Sequence, residues 1–345
     1  MADVFFLEAK DEAKILERIG ELFRKVSSSI TKGDNVAIKV HFGEPGNVTF
    51  TKPIFYKDIV GIIKNIGAKP FLTDTNTLYK GHRHNSKDHI ETAMRHGFGE
   101  LGIPIVIADG EAGEEWEEIE INKTYFQKVK IGRAVADSDS MVVLSHFKGH
   151  IGAGFGGAIK NISMGCASRA GKQQMHASTK PKVDREKCIT CRKCATVCPE
   201  NCIGYEEGYA AISSDKCIGC MECVTVCPTG AIGMIYNTGH RELQERMAEY
   251  AFGAVKGKRV CYVNFLINIT DNCDCLNRKM KPVIDNIGVV ASTDPVAVDQ
   301  ASFDLVQKAA GKDLFKDMHG FESTDQLSYG EKIGLGKREY KLVKI

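Results

Sequence analysis

The stretch "NVAIKVHFGEPGNVTFTKPIFYKDIVGIIKNIGAKPFLTDT" (35–75) decides the fold. It opens on "NVAIKVHF" (35–42), a short apolar run rich in β-branched residues that reads as a buried strand. After a Gly/Pro turn, "TKPIFYKDIVGIIKNIG" (51–67) sets Ile54, Ile59, Ile62, Ile63 and Ile66 at helical spacing and closes on a glycine. "AKPFLTDT" (68–75) is a second apolar run. Near-continuous apolar strands around an amphipathic helix predict an α/β fold with a mostly parallel sheet.

Further along, "SKDHIETAMRHGFGELG" (86–102) reads as a helix and "GIPIVIADG" (102–110) as a strand. "FQKVKIG" (126–132) and "DSMVVLSHF" (139–147) extend the pattern. The acidic tract "DGEAGEEWEEIEI" (109–121) reads as an edge strand or loop whose charges discourage unwanted pairing. The pattern resumes with a helix at about 239–255, the strand "GKRVCYVNFLIN" (257–268) and the strand–helix unit 286–311. In that unit Asp294 reads as an N-cap and Pro295 as the first helical residue.

Between these halves stand two runs of the form C-x2-C-x2-C-x3-C-P. They are Cys188, Cys191, Cys194, Cys198, Pro199 and Cys217, Cys220, Cys223, Cys227, Pro228. Three thiolates at such gaps wrap one face of an iron–sulfur cube, and in two-cluster ferredoxins the fourth comes from the other run. The expected ligand sets are Cys188, Cys191, Cys194 and Cys227 for one [4Fe–4S] cluster, and Cys198, Cys217, Cys220 and Cys223 for the second. Zinc sites usually lack the third close cysteine and the trailing proline, and a disulfide framework suits a short secreted chain. The expected architecture is therefore an α/β domain of residues 1–177 and 237–345, interrupted at 178–236 by an α+β ferredoxin-like 2[4Fe–4S] module.

With 345 residues, the chain is long enough for two or three cores. Its 46 basic and 44 acidic residues create no global field to draw in nucleic acid. No apolar run approaches membrane-spanning length. Thirteen cysteines without a secretion signal point to a reducing cytoplasm.

A second region carries chemistry. "SHFKGHIGAGFGGAIKNISMGCASRAGKQQMH" (145–176) leaves a buried strand, passes Gly152, Gly154, Gly156 and Gly157, and opens a helix near Gly156. Gly152, Gly154 and Gly157 fit G-x-G-x-x-G only formally, because no acidic residue follows at the dinucleotide-binding distance. Glycines still permit close backbone approach, and a helix start favours anions. His146, Lys148, His150, Lys160, Arg169, Lys172 and His176 crowd the same window. Upstream, "DTNTLYKGHRHNSKDH" (74–89) adds Asp74, His82, His84 and His89 after a strand end, and His41 ends another strand. These residues form a candidate pocket for a small, anionic substrate or cofactor.

On "SHFKGHIGAGFGGAIKNISMGC", "NCDC" (272–275), "STDPVAVDQ" (292–300) and the inserted cysteine runs, nearly the whole chain resembles the domain-of-unknown-function 362 family of iron–sulfur center proteins. A more distant resemblance, to the lactate racemase family, rests on His150, "AGFGGAIK" ending at Lys160, and His176. That family tethers a nickel-pincer nucleotide on the lysine. The resemblance implies Lys160 as tether, His176 as metal ligand, His150 as an acid–base residue, and His84 or His82 as a second one. Ile159 stands where the motif has arginine and Gly156 where it has serine, and its proline is missing from "NISMGC" (161–166).

Of the remaining cysteines, Cys261 lies in an apolar strand and reads as core, and Cys202 as packed beside a cluster. Cys273 and Cys275 can hold a metal between two thiolates, with Cys166 or a histidine completing a third site. The basic run Lys180, Lys182, Arg185, Lys187, Arg192 and Lys193 reads as a solvated face able to dock an acidic redox partner protein. The expected function is a cytoplasmic iron–sulfur protein relaying single electrons to or from the pocket lined by His150, Lys160, His176 and the 74–89 loop, with His84 a further candidate catalytic residue. The alternatives are a plain electron carrier, a metal-dependent racemase or isomerase centred on Lys160 and His176, and a partner-binding activation factor.

Overall fold

The strand Asn35–Lys39, the helix Lys57–Ile66 and the strand Lys69–Asp74 form where the apolar spacing sets them. The computed structural model describes residues 1–345 apart from Lys80, Thr179, Ile218 and residues 234–236. The helix is shorter than its isoleucines suggest. Pro53 opens a 3-10 turn, Pro53–Tyr56, which turns Ile54 outward at 52% exposure and buries Phe55 and Tyr56 instead. Ile59, Val60 and Ile63 face the core, and Gly67 ends the helix at φ +84°.

The central sheet has eight strands, in the order Tyr340–Lys344, Ala2–Glu8, Gly288–Ser292, Arg259–Leu266, Ser140–His146, Asn35–Lys39, Lys69–Asp74, Ile105–Ile107. Gly288–Ser292 runs antiparallel to both its neighbours, and every other pair is parallel. Side chains alternate between two apolar layers. Val142 and Leu144 join Ile15, Ile19 and Ile63 on one face, while Met141 and Val143 join Ile159, Met247 and Val298 on the other. Both faces are covered, as a mostly parallel sheet requires.

Three expectations are corrected. Lys128–Gly132 does not extend the central sheet but pairs antiparallel with Trp116–Glu120 in a separate hairpin. Opposite charges meet across it, Glu120 facing Lys128 and Glu118 facing Lys130. The helix expected over 86–102 stops at Arg95, because Gly97 turns left-handed at φ +87° before a 3-10 turn, Phe98–Leu101. The helix expected from Gly156 starts at Ala158, since Gly154–Gly156 pairs instead with Lys148–His150.

The cysteine-rich segment builds its own small apolar cluster from Cys194, Ala210, Met221, Cys223, Val224 and Ile232. Around it lie the hairpin Ile203–Glu206/Tyr209–Ile212 and the helices Lys193–Thr196 and Glu222–Val226. The sequence repeat is also a backbone repeat. Thr190 and Gly219, Arg192 and Met221, and Asn201 and Gly230 occupy matching places in the two runs, and all have positive φ. The expected end of the segment, at 236, lies outside the described residues. Among the described residues no helix is long and apolar enough to cross a membrane.

Candidate functional site

The chain moves outward from Asn35–Lys39 through Lys69–Asp74 to Ile105–Ile107. It then returns to the other side of Asn35–Lys39 as Ser140–His146. Such a reversal opens a crevice beyond the carboxyl ends of the strands. A cleft lies there. His41, Asp74, Thr75, His146 and Lys148 line it from the strand ends, and His150, Gly157, Lys160, Lys172 and His176 from the following segment. Cys273 and Cys275 close one side. His150, Lys160 and His176, grouped in one window of the sequence, thus also share one cavity.

The basic lining is only partly paired. Lys39 Nζ lies 3.0 Å from Asp74 Oδ1 and donates to Asn161 Oδ1 at 2.7 Å. Arg83 donates from Nε to Glu44 at 2.7 Å and stands 3.5 Å from Asp74. Asp274, fully buried between the two cysteines, accepts from His146 Nδ1 at 2.7 Å and Thr49 Oγ1 at 3.2 Å, with Lys148 Nζ at 3.6 Å. Burial works against its ionised form, but His146 and Lys148 hold its pKa well below the usual carboxylate range. Lys172 donates to Thr75 Oγ1 and to the Ala167 carbonyl.

Lys160 is different. Its Nζ lies 3.8 Å from Cys273 Sγ, and burial followed by the charges of Lys148, Lys39 and Arg83 brings its pKa down to about 7. Burial, then Lys160, lowers His176 to about 4. His150 is held well below its ordinary value by burial and then by Lys160. Its Nδ1 accepts the Gly152 and Ala153 N–H groups at 3.1 and 3.0 Å, so the neutral ring carries its proton on Nε2. The cleft therefore holds a depressed-pKa amine beside neutral imidazoles, an arrangement suited to binding an anion and moving a proton.

His84 does not line the cleft; its Nδ1 lies 3.1 Å from the Tyr79 carbonyl oxygen. The His82 N–H donates to Glu44 at 3.1 Å. The space beside the glycines is filled by protein. A Cβ on Gly154, at φ +76°, would strike Ser323, one on Gly157 would strike Asp299, and one on Gly156 would crowd Lys160. Asp299 also takes the helix start, accepting from Ala158 N at 2.7 Å and Ile159 N at 2.9 Å, so those N–H groups are not offered to a ligand.

Cys166 is fully buried in the apolar layer, and burial pushes its thiol up to about 12. It is not grouped with Cys273 and Cys275, which are joined by a disulfide with Cα atoms 5.2 Å apart. The residue grouped with them is His41, whose donor atom and theirs all lie within 4.8 Å of one another. Sequence reasoning passed over Lys39, Glu44, Tyr79, Asp274 and Asn161. A lysine inside the apolar run "NVAIKV" is a signal for a buried charge, whereas nothing marks Glu44 in its Gly/Pro turn.

The cysteine runs line two smaller cavities. One is bounded by Cys188, Cys191, Cys194 and Cys227, and the other by Cys198, Cys202, Cys217, Cys220 and Cys223. Backbone N–H groups of Ala210, Cys202 and Ile232 each point at a thiol sulfur, those of Cys188, Cys198 and Cys227 respectively, at 3.4 Å. The helix Arg169–His176 links cleft and segment: His176 lines the cleft, and the next residue, Ala177, joins the segment's apolar cluster.

Two solved structures are similar at low identity. The lactate racemase apoprotein from Thermoanaerobacterium thermosaccharolyticum aligns at 12% identity with a TM-score of 0.44, over 90% of this chain and 58% of that one. A protein from Thermotoga maritima aligns at 12% identity with a TM-score of 0.47, over 89% of this chain and 61% of that one. The chain thus spans about three fifths of the length of each. No curated protein matches it in sequence. A family model matches residues 36–304, from the first strand of the crevice through the helix that carries Asp299, and the chain belongs to that family, described as Domain of unknown function (DUF362).

Proposed function

We propose that the chain is an iron–sulfur protein in which two [4Fe–4S] clusters serve a small-molecule cleft. The observation that carries this reading is the make-up of the two cysteine cavities. Each gathers three cysteines of one run and a fourth from the other, the second cavity also holding Cys202, and three plus one is the ligand pattern of two-cluster ferredoxins. The donors fit the group. Thiolates are the usual ligands of such clusters, and N–H donors to sulfur are among the factors that tune their potentials. Clusters of this type supply single-electron transfer.

The chain's own residues do the rest. Lys148, Lys160 and Lys172 hold an anionic substrate in the cleft, and His150 Nε2 donates a hydrogen bond to it. The exposed Lys180, Lys182, Arg185, Lys187, Arg192 and Lys193 form the face that meets an acidic redox partner. The disposition of His176 and Ala177 supports a short route between the segment and the cleft.

Iron and acid-labile sulfide, measured after anaerobic purification, test this. About eight of each per chain are expected from two clusters. Cys188→Ser and Cys227→Ser should damage the same cluster, so the double variant loses no more iron than either alone. Cys188→Ser with Cys198→Ser should empty both. Zinc in place of iron, or additive loss in the first pair, sinks the assignment.

A further inference from the structure

The cysteine pair in the cleft stands apart from the two cysteine cavities. Cys273 and Cys275 flank the fully buried Asp274 and belong to neither cysteine run. Both line the cleft, and they are joined to each other. Around them stand Lys160, whose Nζ is 3.8 Å from Cys273 Sγ, and His41, within 4.8 Å of both sulfurs. Tyr79 donates its hydroxyl to the Cys275 carbonyl at 3.4 Å.

Disulfides in reducing compartments are transient and chemical rather than structural. This one closes a loop of only three residues, and removes little chain entropy compared with a long-range bridge. Its position is not that of a structural staple, because it faces the cleft beside an amine. His41 is set up as a hydrogen-bond donor. Its Nδ1 accepts the Gly43 N–H at 3.0 Å, which leaves the proton of the neutral ring on Nε2.

We propose that Cys273 and Cys275 are a reversible dithiol/disulfide couple that exchanges two electrons with a small-molecule substrate in the cleft. In the reductive direction the Sγ–Sγ bond breaks, two electrons and two protons are taken up, and two thiols result. The reductant is the pair of one-electron clusters, so this donor side rests on the functional reading above. The oxidative direction returns two electrons and two protons to a bound substrate that is thereby reduced. Lys160 is a positioning residue, its Nζ aimed at the sulfur that becomes the nucleophile. The two clusters deliver electrons singly, and the dithiol collects them as a pair.

The test equilibrates the full-length, anaerobically purified protein in glutathione buffers of defined oxidation. Thiols are then trapped by alkylation and the 273–275 peptide is weighed. The expected result is one reversible two-electron transition confined to this peptide, with Cys166 and Cys261 alkylated only on unfolding. Lys160→Gln should shift the reduced-to-oxidised ratio about tenfold toward disulfide, about 30 mV for a two-electron couple, with the fold checked by circular dichroism. A pair that stays reduced at every buffer setting overturns the proposal. So does a pair protected from both alkylation and oxidation by stoichiometric bound metal. Iron content is read on the same sample. A titrating pair in an iron-free protein removes the cluster reading and leaves the couple, while eight irons with an inert pair does the reverse.

Discussion

His89 is buried at 0% exposure, its ring edge-on to Phe42 with centroids 5.5 Å apart and Nε2 3.7 Å from Asp74 Oδ2. Burial lowers its pKa to about 3, and the attraction of Asp74 offsets this only in part. The sign follows from linkage. Between the ordinary histidine value and about 3 the unfolded chain binds a proton that the folded chain refuses, so stability falls with pH through that window. One such group costs about 2 kcal/mol between pH 7 and pH 5. Urea unfolding at the two pH values should show this loss in the native protein and a visibly smaller one in His89→Leu. An unchanged difference would mean that His89 protonates freely in the fold. His41, His150 and His176 are shifted the same way, so part of the slope remains in the variant. At this scale the sequence exposed the residues that carry chemistry, because histidines and lysines interleaved with glycines are conspicuous. It could not show which of them are paired. Lys39 and Asp74 sit on neighbouring strands, and Asp274 meets His146 across 128 residues.

The helix Ala158–Met164 shows what an element owes to partners outside itself. Its N-cap, Gly157, has no side chain to accept the first N–H groups, and Asp299 from the helix Pro295–Ala310 does so instead. Asn264 Nδ2 donates to the same carboxylate at 2.7 Å, and burial pushes its pKa up to about 6. Asp299→Ala leaves these donors unsatisfied, at a cost of about 1–3 kcal/mol for each group kept from water. Thermal melting should fall, and hydrogen exchange at Ala158 and Ile159 should rise well above that of the strand Ser140–His146. Equal exchange across both elements would remove the capping role. The helix itself was legible in "GAIKNISMG", but its start was displaced by two residues because the glycines before it pair as a short strand. Similarly, the hairpin Trp116–Glu120/Lys128–Gly132 could be read as strands but not assigned to a sheet. Period and propensity say that a segment is extended and leave its neighbour unspecified.

For the molecule as a whole, a buried ion pair joins the cysteine-rich segment to the α/β body. Lys130, on the hairpin, reaches Glu222 of the second cysteine run at 2.6 Å and lies over the Trp116 ring at 4.1 Å. Both charged groups are largely buried, so losing one partner strands the other. Lys130→Ala should speed amide exchange in Glu222–Val226 while Ser140–His146 stays protected. Unchanged exchange in that helix would show that the segment is held by its other contacts. The sequence by itself determined the α/β class, the two cysteine repeats, and the window holding His150, Lys160 and His176. These follow from local spacing, where one residue's neighbours along the chain are also its neighbours in space. Only the tertiary structure decided the antiparallel strand Gly288–Ser292 and the edge strand Tyr340–Lys344. It alone decided that Cys273 and Cys275 stand beside Lys160 and His41 rather than Cys166. Each of these depends on which strand ends meet at one crevice, and that is set by how buried surfaces close over the whole sheet.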